Sequence, residues 1–337
     1  MNLLIISSLL TFFLYYFACF DFADSKKKLS YIICFVTIAF VQRFIIAPEL
    51  NNDFYLYYDF KIFHKPADLF SFLLKEPYLY SVYAFFDIFS NDKGIIFSCI
   101  YWFNHIVTVV FFVWLIKLKD IDVWKKMLLF SIFYFFFGFV LLRNAPAYLL
   151  FAVYFYYSYR NLKFNYVLLT PFMHISSILI LIVYFYKWKK YYLFFAIICI
   201  LGPIFFLVFM PYLENLDFFR YVLWKINDYS KVNIVIGYTH WLFFAFITLL
   251  YLLGIILYKK RMLHPFLVTT AFFYYVSYFV NPIMAFRFTP YVLFALLFLN
   301  FDPLKKQIVR ILNLSSVFLC VIYLFILYHT HNKLILI

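Results

Sequence analysis

Residues 94–116 read GIIFSCIYWFNHIVTVVFFVWLI, closed at either end by Lys93 and Lys117. The run holds no Asp, Glu, Lys or Arg. As a helix it is about 35 Å long, enough to cross a hydrocarbon core of about 30 Å. Similar runs recur on both sides of it, at 2–20, 29–47, 127–142, 145–159, 191–211, 241–258, 264–281, 288–301 and 310–329. Short basic stretches separate them. The chain therefore reads as an all-α, polytopic transmembrane bundle of about 10–12 membrane segments, continuous over 1–337 as a single integral membrane domain.

Composition agrees. Hydrophobic residues make up 67% of the 337 and charged residues 13%, against roughly 25% charged in soluble domains. Few Gly and Pro, and no Ser-rich linker, leave no obvious domain boundary. The aromatic share of 27% suits sugar stacking and interfacial belts. It also follows from AT-rich codons, which Phe, Tyr, Ile, Lys and Asn share. Cys19, Cys34, Cys99, Cys199 and Cys320 are scattered through apolar runs with no CxxC pair, so they read as small buried hydrophobes. The first 20 residues lack a basic leader and a cleavage site and read as a first membrane helix. The formal charge of +14 is then a matter of membrane topology, not of nucleic-acid binding.

Two segments are ambiguous. Residues 69–90 are broken by Lys75-Glu76-Pro77 and Asp87, and 164–186 carry Pro171 and His174. Charge asymmetry arbitrates. If neither crosses, one side holds 18 of the 29 basic residues, among them Lys26–Lys28, Lys117, Lys119, Lys125 and Lys126. If both cross, the asymmetry disappears. The expectation is ten full spans, both termini outside, and two re-entrant or interfacial segments. The long loops 48–68 and 212–240, with Asp53, Asp59, Arg220 and His240, then lie on the outer side.

On that topology four of the seven arginines, Arg43, Arg143, Arg220 and Arg287, face outwards. A charge at a helix centre costs about 2.5–3.5 kcal/mol on insertion scales. Guanidinium forks suit phosphate. Arg43 sits one turn inside the second span, where it contacts an anion, snorkels, or pairs with Glu49 or Asp53. Arg143 lies in Leu141-Leu142-Arg143-Asn144-Ala145-Pro146, with Pro146 fit for the first turn of the next helix. Arg143 and free helix N–H groups then face one anion, or Arg143 is a turn charge among headgroups. Arg287 closes a second short outer turn in the same way. His174, at the tip of a re-entrant hairpin, reads as a general base or substrate contact, or as a neutral His bonded to a neighbouring helix. Glu76 and the carboxylates around Tyr57 bind sugar hydroxyls, take an acceptor proton, pair with the arginines or are solvated loop charges. No metal, P-loop or Rossmann motif is present, so no cofactor is expected.

The ordered set Arg43, Asp53 and Tyr57, Glu76-Pro77, Arg143 with Ala145, His174-x-Ser176 and Arg287 resembles the EpsG-like and Wzy-type polysaccharide polymerases over roughly residues 1–300. Asn144 stands where that family often has Gln, which keeps an amide beside Arg143. The resemblance implies a GT-C-type glycosyltransferase of the bacterial inner membrane, inverting and metal-independent. It would act at the periplasmic face on undecaprenyl-diphosphate-linked oligosaccharide in O-antigen, capsule or exopolysaccharide synthesis. Arg143, His174, Arg287 and Glu76 would be catalytic. Arg43, Asp53, Tyr57, Asp59, Asn144 and Arg220 would bind substrate. The membrane lipid and a chain-length regulator protein are the further partners implied. Two other classes fit the same outer arginines: a flippase or transporter, and another membrane transferase such as an O-antigen ligase.

Overall fold

The computed structural model describes residues 2–51, 54–58, 72, 77–174, 176–213, 238–259, 262–280, 282–299 and 306–330; these are overwhelmingly helical, with no strand among them. Asp53, Asp59, Glu76 and Arg220 lie outside the described residues. The chain divides into two compact units. Unit 1 comprises Met1–Lys65, Glu76–Leu150 and Asn313–Ile337; unit 2 comprises Pro66–Lys75 and Phe151–Leu312.

Unit 1 begins with α1 (Asn2–Ala18) and α2 (Ser25–Ile45). Asp24 caps α2, its Oδ1 accepting from the Lys26 N–H at 2.9 Å. A 3-10 turn (Pro48–Leu50), α3 (Phe54–Tyr58) and α4 (Pro77–Asp87) follow. Then α5 (Lys93–Lys117) starts at Asp92, whose Oδ1 accepts from the N–H groups of Gly94 and Ile95. α6 (Val123–Phe135) runs into a π turn over Phe136–Val140, and α7 (Ala145–Tyr159) starts five residues later.

α7 passes into unit 2. There follow a 3-10 turn (Tyr166–Leu169), α8 (Thr170–Met173), α9 (Ser177–Leu181) and another 3-10 turn (Ile182–Phe185). The long helices α10 (Tyr191–Leu213), α11 (Tyr238–Tyr258), α12 (Pro265–Val280) and α13 (Pro282–Leu297) come next. α14 (Lys306–Thr330) joins unit 1 from Asn313 onward.

Five helical stretches are long and apolar enough to cross a membrane: Ser25–Ile45, Lys93–Lys117, Val123–Val140, Tyr238–Tyr258 and Lys306–Leu327. Side chains that would be core in a soluble protein point outward. Phe44 is 78% exposed, Phe279 77% and Ile256 69%. Such faces suit lipid tails, not water.

Each of the ten expected spans coincides with a helix, but boundaries move. The segment expected at 288–301 begins at Pro282, because proline's fixed φ and missing N–H favour the first helical turn. Of the two ambiguous segments, 164–186 is a string of short turns broken at His174, and the described part of 69–90 holds the 11-residue α4. At about 16 Å, α4 is too short to span. Cys34 is exposed, so it faces outward and is not the buried hydrophobe expected.

Hydrocarbon gives no hydrophobic drive between helices, so packing and polar contacts must hold them. In unit 1 the knot is aromatic. Tyr15 of α1 stacks on Phe130 of α6 at 4.1 Å and meets Phe35 of α2 and Phe112 of α5 edge-on. Tyr323 of α14 reaches Phe133. These contacts run antiparallel. Ser8 bonds Gln42 while Phe17 stacks on Tyr31, and His105 reaches Ala39 while Phe112 packs on Phe130. One end of the unit therefore gathers Lys26–Lys28, Lys117, Lys125 and Lys126. The other gathers Arg43, Asn51 and the π turn.

In unit 2, tyrosine hydroxyls tie helices through backbone carbonyls. Tyr154 donates to Val183 at 3.0 Å, Tyr159 to Ala295 at 2.9 Å and Tyr251 to Leu267 at 3.0 Å. Asn161, at φ 58°, ends α7 in a left-handed cap. The Leu162 N–H returns to the Tyr157 carbonyl at 2.9 Å, as such caps require.

Candidate functional site

Arg43 occupies the last turn of α2 and is only 3% exposed. Its guanidinium lies between two rings, 5.4 Å from Tyr101 of α5 and 5.2 Å from Phe139 of the π turn. Nε and Nη1 are buried and meet no acceptor among the described residues. Glu49, the nearest carboxylate in sequence, is exposed. The side chain therefore does not snorkel, and two of its nitrogens are unsatisfied among the described residues. An unmatched buried guanidinium costs several kcal/mol. The rings offset part of that through their negative faces. An acceptor-rich anion would offset far more.

The backbone under this cation is held from three directions. The π turn inserts one residue into α6, and the Leu141 N–H bonds back to the Phe136 carbonyl at 2.9 Å. Asn104 of α5 donates through Nδ2 to the carbonyls of Phe137 and Leu141. Asn51 donates through Nδ2 to the Val140 carbonyl and to the Tyr101 hydroxyl, both at 3.0 Å. The turn can lie this close to α5 because residue 138 is glycine. A Cβ there would sit 3.1 Å from the His105 Nδ1. His105 is fully buried, and its Nε2 lies 3.0 Å from the Ala39 carbonyl. A carbonyl only accepts, so Nε2 carries the proton and Nδ1 is a lone pair.

Gln42 completes the polar layer. Its Nε2 donates to Ser8 Oγ at 2.9 Å, and its Oε1 accepts from the Tyr134 hydroxyl at 3.0 Å. π turns are frequent at functional sites, and here the π turn closes the C-terminal end of α6. This one delivers the chain directly to Arg143 and Asn144. Asn144 is 8% exposed and opens α7, its carbonyl accepting from the Tyr148 N–H at 3.1 Å. Among the described residues its buried Oδ1 has no donor, and neither have Asn104 Oδ1 and His105 Nδ1. Arg143 is half-buried in the bend that joins the π turn to α7.

The remaining expected residues distribute as follows. His174 lies in unit 2, 4% exposed, at an extended break (φ −155°, ψ 123°) between α8 and α9. Its Nδ1 is 2.6 Å from Ser176 Oγ. Arg287 does not close a turn, as the sequence reading had it. It sits in the second turn of α13, half-buried, because that helix starts at Pro282. Tyr57 belongs to α3, a helix whose Phe54 packs against Phe97 and Tyr101 of α5. His240 opens α11 with its ring edge-on to Phe286, 4.7 Å away. Among the described residues no three His, Cys, Asp or Glu side chains gather as a metal site.

Sequence reasoning named Arg43, Arg143 and Asn144 as candidates but not the residues that hold the backbone beside Arg43, Asn51, Asn104, His105 and Gly138. The signal was available. Asn104-His105 is a polar pair inside the apolar run that decides the fold, and a buried polar pair needs partners. Comparison of the chain with protein-family models, with curated proteins and with solved structures returned no match.

Proposed function

We propose that this protein is a membrane glycosyltransferase of the polysaccharide-polymerase kind, with a GT-C-like bundle. It moves a growing glycan from undecaprenyl diphosphate to the terminal sugar of a lipid-linked repeat unit at the periplasmic face of the inner membrane. The observation that carries the reading is Arg43. A buried, ring-flanked guanidinium with two nitrogens unsatisfied among the described residues, at the end of unit 1 that bears Arg143, is suited to an anion entering from the membrane surface.

In the proposed reaction the acceptor hydroxyl oxygen attacks the anomeric carbon of the chain's reducing-end sugar. The bond from that carbon to the diphosphate oxygen breaks, and its electron pair leaves with the lipid diphosphate. The hydroxyl proton passes to a base. Charge grows on the diphosphate as the bond breaks, so preorganised cations stabilise the transition state more than the ground state. Arg43 and Arg143 take that role, and the clamped π turn keeps their backbones in register. Arg287 and Arg220 remain further candidates for a diphosphate contact, and His174, Glu76 or Asp53 for the acceptor proton. Each has its own alanine variant as a test.

The decisive experiment is the polysaccharide profile of a strain lacking the gene, complemented with wild type or with Arg143→Ala. Collapse of the ladder to a single-repeat band, rescued by wild type alone, supports the reading. An unchanged ladder in the deletion strain removes it and brings forward a transporter. Loss of every attached antigen indicates a ligase instead.

A further inference from the structure

An apolar furrow of about 390 Å³ runs between α2 and α5 on the outer surface of unit 1. Val36 and Phe40 form one wall; Ile106, Val110, Trp114 and Lys117 lie along the other. The α5 members recur every three or four residues, so they share one face of the helix. Val109, 3% exposed, closes the floor, and Val110, 62% exposed, stands at the mouth. From Ile106 to Lys117 the furrow follows about 16 Å of helix. A hydrocarbon chain matches that length and the apolar lining.

The two ends differ. The helices are antiparallel, since Phe40 stacks on Trp102 and the Ala39 carbonyl meets His105. The end at Lys117 therefore lies with Lys26–Lys28 at the start of α2. Trp114 and Lys117 sit on adjacent turns there, the pairing expected where a helix leaves the hydrocarbon. The lining is otherwise apolar, and Lys117 is its one cation.

We propose that this furrow binds an anionic phospholipid. One acyl chain lies between α2 and α5, and the headgroup phosphate pairs with Lys117. The occupant is a bilayer phospholipid and not the lipid-linked substrate, because the charged end of the furrow is the end remote from Arg43. The choice between the two lipids rests on the proposed role of Arg43; the furrow and its cation do not.

Native mass spectrometry of the full-length protein tests it, with phosphatidylglycerol, phosphatidylcholine and a polyprenyl phosphate each titrated into detergent. Wild type should retain one phosphatidylglycerol in preference to phosphatidylcholine. Lys117→Ala should weaken that retention about fivefold, as loss of one basic residue at a lipid surface implies; Lys117→Arg should restore it. Val110→Trp fills the mouth from the lipid side and should abolish retention with the helical circular-dichroism signal unchanged. Equal retention of the two phospholipids, or retention indifferent to both Lys117→Ala and Val110→Trp, would overturn the proposal. So would preferential retention of polyprenyl phosphate that depends on Arg43 and not on Lys117.

Discussion

Of the buried cations of unit 1, Lys126 and Arg43 sit at opposite ends, and they are not alike. Lys126 is 2% exposed, and its ammonium donates to the Ile116 carbonyl at 3.2 Å. That carbonyl belongs to the last turn of α5, where helical acceptors have no donor of their own. The lysine thus closes a helix end, and cations there also complement the helix dipole. Arg43 is equally buried, yet its Nε and Nη1 meet no acceptor among the described residues. Burial of charge does not by itself mark a site. What distinguishes the two is whether the donors have acceptors.

The sharpest way to break this contrast is to remove each cation in turn. Arg43→Ala should cost about 10²–10³ in polymer formation, the usual loss when one preorganised donor to a developing anion is deleted. Arg43→Lys should recover only a small part, since a point charge cannot replace the fork. Lys126→Met should leave polymer length and rate unchanged. A full ladder from normally expressed Arg43→Ala would show that its unsatisfied nitrogens are a structural cost and not a binding site.

The second effect tests the scaffold behind Arg43. Gly138→Val should destabilise the protein by about 1–3 kcal/mol, the range for overpacking a tight contact, because the new side chain meets His105 Nδ1. Pairing it with His105→Ala should restore part of the loss, measured as the thermal midpoint in detergent. If the double variant is no better than the single one, the close approach of π turn and α5 is not what the glycine serves.

Much of this was legible in the sequence, for a physical reason. A membrane span needs a long apolar run, and composition alone reveals it, so every expected span fell on a helix. Charge sorting between the ends of unit 1 was legible too, since Lys26–Lys28 and Lys117 gather opposite Arg43. What failed to show were contacts between distant residues. Asn51 reaches Val140 across 89 positions, and Asn104 reaches Phe137 across 33; no periodicity announces either. Arg287 was misplaced because Asn281-Pro282 looked like a connection, whereas Pro282 starts a helix that carries Arg287 inside. The clamp and the π turn are consequences of packing, and the sequence offered only Gly138 and a polar pair as clues.

At the lysine end the expected effects are on stability alone. Lys126→Met keeps the aliphatic bulk and loses the bond to Ile116. It should cost about 1.5 kcal/mol, typical of a hydrogen bond from a charged group. The variant should melt earlier without a change in polymer. A loss of activity larger than the loss of folded protein would give Lys126 a role beyond closing α5.

The smallest effect belongs to the exposed counterpart of these buried cations. Asp21, between α1 and α2, accepts from the Lys28 ammonium at 2.9 Å, with its side chain 62% exposed. That hydrogen bond holds its carboxyl below the ordinary value of 3.8. A lowered carboxylate contributes stability that is present above its ordinary value and fades as pH falls through the folded one. The window is therefore below about pH 4. Solvent and salt screen so open a pair, so the contribution is well under 1 kcal/mol. Asp21→Asn should leave the melting temperature at pH 7 almost unchanged and flatten its fall between about pH 4 and pH 2 by a small increment. A large shift at pH 7 would mean that this end of the unit relies on surface charge, and the distinction between closed and open cations would then need redrawing.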